Sequence, residues 1–217
     1  MLLKSVCLFY KFVVFVMKIR ELVRNVIKKH GGIAKSSDFV KSGISAVDVV
    51  NLCNANYLCR VRHGYYRLAE QTSVSEEKLL AKLVPEGIIC LESALFHYGY
   101  SDFTPREWSI AVPRSVSRAK LKIETLPLKV YYVQENLYKL GKTTLKINGV
   151  SMHIYDRERT ICDCFRNRSK LDSEIFNKAL NAYANDENKN LRNLSEYAKK
   201  LRIYNKVTDL MGVLLNG

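Results

Sequence analysis

Residues 31–68 read GGIAKSSDFVKSGISAVDVVNLCNANYLCRVRHGYYRL, and the order of start and stop signals in them decides the architecture of the N-terminal part. Upstream, Ile19, Leu22, Val23, Val26 and Ile27 recur at spacings of three and four, which predicts one face of a helix. Gly31-Gly32 closes that helix, because glycine enters the left-handed region without steric cost. Ser36 and Ser37 are N-cap candidates for a short second helix through Val40. Gly43-Ile44 makes a turn, and Ser45 caps a third helix whose Val49, Leu52 and Cys53 face inward. Asn56 stands where the chain reverses, a position that tolerates asparagine in a left-handed conformation. Tyr57 to Leu68 then alternates, breaks at His63-Gly64 and alternates again, which predicts a hairpin. Three helices followed by a basic hairpin predict a winged helix-turn-helix over residues 17–70.

Charge points the same way. The 217 residues carry a formal net charge of +14, which favours a polyanionic partner. The excess is segregated. Residues 18–70 hold ten Lys/Arg against four Asp/Glu, residues 71–112 three against six, and residues 113–170 thirteen against five. In such a fold the third helix enters the major groove and the hairpin lies along the backbone. Arg60, Arg62, His63 and Arg67 are therefore candidate phosphate contacts. The competing reading is a hairpin edge protected by charge. Ser45, Asn51 and Asn54 are the candidates on the third helix, since asparagine reads adenine bidentately. Asp48 reads best as a carboxylate serving the helix start.

The remainder predicts an α+β domain over residues 76–217, with a small, mostly antiparallel sheet and a helical C-terminus. Gln71 to Ser75 is polar and reads as a linker. Strands are expected at Trp108–Val112, Leu128–Val133, Thr143–Ile147 and Val150–Tyr155, the last two joined by the turn pair Asn148-Gly149. Helices are expected at 76–83, 157–166, 172–184, 191–201 and 203–215. Arg114, Arg118, Lys120 and Lys122 form a candidate basic patch for DNA or a protein partner. Met1 to Val16 is apolar but too short and interrupted to span a bilayer comfortably, so it is expected to be a start-site extension ahead of Met17, with no membrane partner. The six cysteines form no CxxC pair and suit reduced thiols in a cytoplasmic protein. No catalytic residue, metal site or cofactor is expected: there is no glycine-rich phosphate loop, and His97 and His153 stand isolated.

Two segments carry a family resemblance. Gly43-Ile44-Ser45, Val49, Leu52, Arg60, Gly64 and Tyr66 resemble the turn, helix and wing pattern of AbiEi-type antitoxins. Asn51, Asn54 and Ala55 depart from it where relatives often have arginine, as do Asn56 for glycine and His63 for arginine. The segment VSMHIYDRERTICDCFRNRSKL resembles the family's signature as Tyr155, Glu158, Arg159, Thr160, Asp163 and Arg168. A structural role at a strand-to-helix junction is expected for those six, with Arg159 and Asp163 paired four residues apart. The resemblance implies the antitoxin of a type IV toxin–antitoxin system that aborts phage infection. Such a protein represses its own operon through operator DNA and neutralises a nucleotidyltransferase-like toxin through its C-terminal domain. It is expected as a monomer in solution, with two copies on a palindromic operator. A regulator without a toxin, and a DNA-acting enzyme, are the alternatives.

Overall fold

The computed structural model describes residues 2–70, 74–123 and 125–216, with backbone alone for 2–12, 15 and 216. The expected linker residues 71–73 and the Cys7 side chain lie outside the described residues. The chain divides into two compact units, Met1–Val74 and Ser75–Gly217.

The first unit begins with α1 (Leu2–Lys29), which continues back through the segment ahead of Met17 without a break. It stops where Gly31 and Gly32 take positive φ of 70° and 95°. A short strand β1 (Ala34–Lys35) follows, then α2 (Ser36–Lys41) and α3 (Ala46–Asn54). The N-cap of α2 is Lys35, not Ser36 or Ser37. Lys35 is extended because it pairs with Tyr65, and its amide donates to Asp38 Oδ2 at 2.9 Å. A carboxylate at the third helical position thus replaces the serine cap. Gly43, at φ 80°, lets Ile44 N reach Phe39 O at 3.0 Å and sets the turn between α2 and α3. Asn56 adopts φ 52° as the chain leaves α3.

The wing is β2 (Leu58–Arg62) and β3 (Tyr65–Leu68), with β1 on the outer side of β3. Strict alternation would put Leu58, Arg60 and Arg62 on one face. The register slips between Arg60 and Arg62, so Leu58 and Val61 are buried while Arg60 stays in solvent. Val23, Ile27, Phe39, Ile44, Val49, Leu52, Leu58 and Leu68 close one core under the three helices and the wing.

In the second unit α4 (Glu76–Leu83) leads into β4 (Ile88–Ile89) and α5 (Leu91–His97). The strands β5 (Trp108–Pro113), β6 (Leu128–Val133), β7 (Lys142–Ile147) and β8 (Val150–Tyr155) complete a five-stranded sheet of order β6-β5-β4-β8-β7. β4 is antiparallel to β5, and β7 to β8; β4 is parallel to β8, and β5 to β6. Short helices α6 (Arg118–Leu121) and α7 (Glu135–Tyr138) occupy the connections flanking β6. The C-terminal helices are α8 (Arg157–Arg166), α9 (Ser173–Ala184), α10 (Leu191–Lys200) and α11 (Tyr204–Asn216). Ile161, Cys162, Phe165, Phe176, Leu180, Leu194 and Met211 from these helices pack with Ile88, Ala111 and Tyr155 of the sheet. Among the described residues no helix is long and apolar enough to cross a membrane. Cys53, Cys59, Cys90, Cys162 and Cys164 are free thiols.

Candidate nucleic-acid interface

The third helix of the winged unit presents a defined outward stripe. Val49 and Leu52 are buried against the core, which turns Val47, Val50, Asn51 and Asn54 to solvent. Val47 and Val50 are 67% and 55% exposed and lie beside the two asparagines. Apolar side chains of this kind can contact thymine methyls, and asparagines can read adenine.

Ser45 and Asp48 are committed to the helix start. Ser45 Oγ accepts from Asp48 N at 3.1 Å and donates to Asp48 Oδ2 at 2.6 Å, while Ser45 N donates to the same carboxylate at 3.1 Å. Asp48 is therefore the third-position carboxylate of a capping box. A contact from Ser45 to DNA would have to come at the expense of the cap. Replacing Ser45 with Ala should lower stability by about 1 kcal/mol. Chemical denaturation reads this, and no loss at all would contradict the capping role.

The wing supplies the cations. Arg60 and His63 are exposed, the latter at the tip beside Gly64, whose φ of 74° makes the turn. Arg62 lies over the Tyr65 ring at 4.5 Å, which holds the guanidinium at the hairpin end. Arg67 is turned inward along its own strand, with Nη1 donating to Leu68 O at 3.2 Å. The fold therefore brings Arg60, Arg62 and His63 together on the wing, with Asn51 and Asn54 on the helix preceding it. Lys35, which sequence reasoning passed over, joins them: it packs over Tyr65 at 5.6 Å from the strand paired to the wing. Its signal was the two-residue strand β1, too short for periodicity to mark.

In the second unit the six signature residues knot the junction between β8 and α8. Arg159 is fully buried, and its guanidinium donates to Asp163 Oδ2 at 3.1 Å and to the carbonyls of Leu137 and Leu140 at 2.7 and 2.9 Å. It also covers the Tyr155 ring at 4.3 Å. Burial pushes the Asp163 carboxyl up, against the lowering pull of Arg159 and Arg166. Glu158 accepts from Tyr183 Oη at 3.1 Å and from Asn190 N at 2.8 Å, tying α8 to α9 and to the start of α10. Thr160 Oγ1 donates back to Tyr155 O at 3.3 Å. Arg168 bonds Ser173 Oγ at 3.0 Å and stacks on Phe176 at 4.5 Å. Each has a structural task, and among the described residues no His/Cys/Asp/Glu group is placed to hold a metal ion.

Gly141 completes the knot. It has φ 71°, and a Cβ there would stand 2.5 Å from Arg159 Cβ and 2.9 Å from Asp156 Oδ1. Gly141→Ala should therefore destabilise the unit by at least about 1–3 kcal/mol for the backbone conformation alone. Thermal unfolding tests this, and an unchanged midpoint would contradict it.

All four residues of the expected basic patch, Arg114, Arg118, Lys120 and Lys122, are exposed. Arg118 and Lys120 lie on α6 with Lys122 just beyond it. Arg114 lines a cavity of about 410 Å³ with Arg166, Lys200 and Arg202. A neighbouring cavity of about 340 Å³ is lined by Arg166, Lys170 and Asp163, and Tyr132 borders both. The sequence separates these cations by up to 88 positions, so no window analysis could join them.

A three-helix unit with a three-stranded wing, exposed asparagines on its third helix and cations at the wing tip has the arrangement of a winged helix-turn-helix. Residues 21–69 match the family model described as "Transcriptional regulator, AbiEi antitoxin". No curated protein matches the sequence. Among solved structures, the chain is similar to the Rv2827c protein from Mycobacterium tuberculosis, with TM-score 0.64 and 12% identity over 89% of this chain and 79% of that one. At that identity the likeness is one of fold, and it extends through both units.

Proposed function

We propose that this chain is a cytoplasmic antitoxin and autoregulator. Residues 17–70 bind operator DNA, and residues 76–217 neutralise a nucleotidyltransferase-like toxin. The observation that carries the DNA-binding half is the pairing of an outward Val47–Asn54 stripe with the cationic wing at Arg60 and Arg62. The match of residues 21–69 to the antitoxin regulator family supports the same reading. Phosphate contacts from the wing fix register, and Asn51 and Asn54 meet base edges. One module covers one half-site, so a palindromic operator takes two copies of a chain that is monomeric in solution.

The test joins two measurements. A reporter driven by the chain's own upstream region should be repressed when the chain is supplied in trans, and the same DNA should shift in a gel. Co-expression with the product of the adjacent gene should restore growth. Absence of both repression and shift would overturn the regulator reading. Repression without rescue would leave a regulator and remove the antitoxin assignment.

A further inference from the structure

The cationic cleft of the second unit lies far in sequence from the winged module, and though it shares Leu137, Asp163 and Arg166 with the fold knot described above, Arg114, Lys170, Lys200 and Arg202 take no part in that knot. Its two cavities, about 340 and 410 Å³, meet at Tyr132, Val133 and Arg166. Arg114, Lys170, Lys200 and Arg202 line one or the other. The carboxylate that lines the smaller cavity, Asp163, is turned to Arg159 and Arg166, with Arg166 Nη1 at 3.6 Å. Lys200 is held by Glu196 at 2.6 Å. The positive charge of Arg114, Lys170 and Arg202 is thus not answered by a carboxylate lining either cavity.

Two further features mark the cleft as more than a solvated surface. Tyr132 is 37% exposed on β6, placing a half-open aromatic ring where the two cavities join. Arg202 adopts φ 60° after α10, a left-handed position that glycine usually fills at helix ends. An arginine there costs on the order of 1 kcal/mol or more, so a side chain is being kept at a site that favours none. Each cavity has the volume of a small-ligand pocket, roughly 300–1,000 Å³ in folded proteins.

We propose that this cleft binds a nucleotide, with its phosphates on Arg114, Arg166 and Arg202 and its base stacked on Tyr132. Guanidinium groups match phosphate oxygens bidentately, and aromatic–base stacking tolerates any base. Two sources offer this chemistry: a free nucleoside triphosphate and the end of a single strand, for which the two adjoining cavities suit successive nucleotides.

The experiment titrates the full chain by fluorescence anisotropy with a labelled adenine nucleotide and with a labelled four-nucleotide single strand. Saturable binding of at least one probe is expected. Arg114→Ala with Arg202→Ala should weaken it by about tenfold or more, as expected for lost phosphate contacts. Tyr132→Leu should weaken both nucleotide probes while leaving competition by inorganic pyrophosphate unchanged. The wing variant Arg60→Ala/Arg62→Ala should bind both probes as the parent does. Tighter binding of the strand than of the mononucleotide would assign the strand as ligand; equal binding would assign the free nucleotide. No saturable binding of either, or binding lost in the wing variant and kept in the cleft variants, would overturn the proposal. All these side chains are exposed or half-exposed, and an unchanged unfolding midpoint verifies that each variant is folded.

Discussion

Replacing Arg159 with methionine is expected to cost about 3–5 kcal/mol of folding stability, the loss seen when one partner of a buried ion pair is removed. The side chain has no solvent exposure, and Asp163 beside it is 8% exposed. Removal would leave the Asp163 carboxylate with only the partly exposed Arg166, at 3.6 Å, and take the Arg159 donor from the carbonyls of Leu137 and Leu140. The Leu137 carbonyl keeps a backbone amide donor, so the penalty of about 1–3 kcal/mol for an unsatisfied carbonyl falls on Leu140. A domain stable by about 5–15 kcal/mol would lose much of its margin. Urea denaturation followed by circular dichroism measures this. The double variant Arg159→Met/Asp163→Leu should be less destabilised than Arg159→Met alone, because no charge is then buried without a partner. A loss below about 1 kcal/mol in the single variant would show that the pair is not what holds the β8–α8 junction.

Replacing Arg60 and Arg62 together with alanine is expected to weaken binding to the chain's own upstream duplex by about 10–100-fold near 0.1 M salt. Each phosphate contact contributes roughly 0.9 to the slope of log affinity against log salt, so the slope should fall in magnitude by about two. The loss should be similar for unrelated duplexes, since backbone contacts carry no sequence information. Fold stability should change little, because Arg60 is exposed and Arg62 rests on Tyr65 at the rim. An unchanged slope would remove the wing from the interface.

The winged module was readable in the sequence because its punctuation is local. Gly31-Gly32, Gly43, Ser45, Asn56 and Gly64 each mark a turn or cap within a few residues of what they control, and all take the expected conformations or roles. The cap of α2 was misplaced to Ser36 or Ser37 because Lys35 acts through a strand pairing with Tyr65 that lies 30 positions away. The bulge between Arg60 and Arg62 was also hidden. Only the need to bury Val61 while leaving Arg60 wet reveals that alternation must slip there. In the second unit the elements were legible from periodicity and the Asn148-Gly149 turn, and the Arg159–Asp163 pair from helical spacing. The cleft was not, because Arg114, Lys170 and Arg202 come from three turns, after β5, α8 and α10, whose approach depends on how the sheet and C-terminal helices pack. Linear clustering pointed to Arg114, Arg118, Lys120 and Lys122, of which Arg114 alone lines either cavity.

Hydroxyl-radical footprinting of the upstream duplex, with parent and with Arg60→Ala/Arg62→Ala at concentrations giving equal occupancy, asks directly whether the hairpin touches the backbone. The expected footprint is protected sugars on the backbone bordering the groove that the third helix enters and on the adjacent backbone under the hairpin, with the latter alone restored to cleavage in the variant. Hairpin-side sugars that stay protected without the two arginines, or no footprint from the parent chain, would contradict duplex recognition by the winged module.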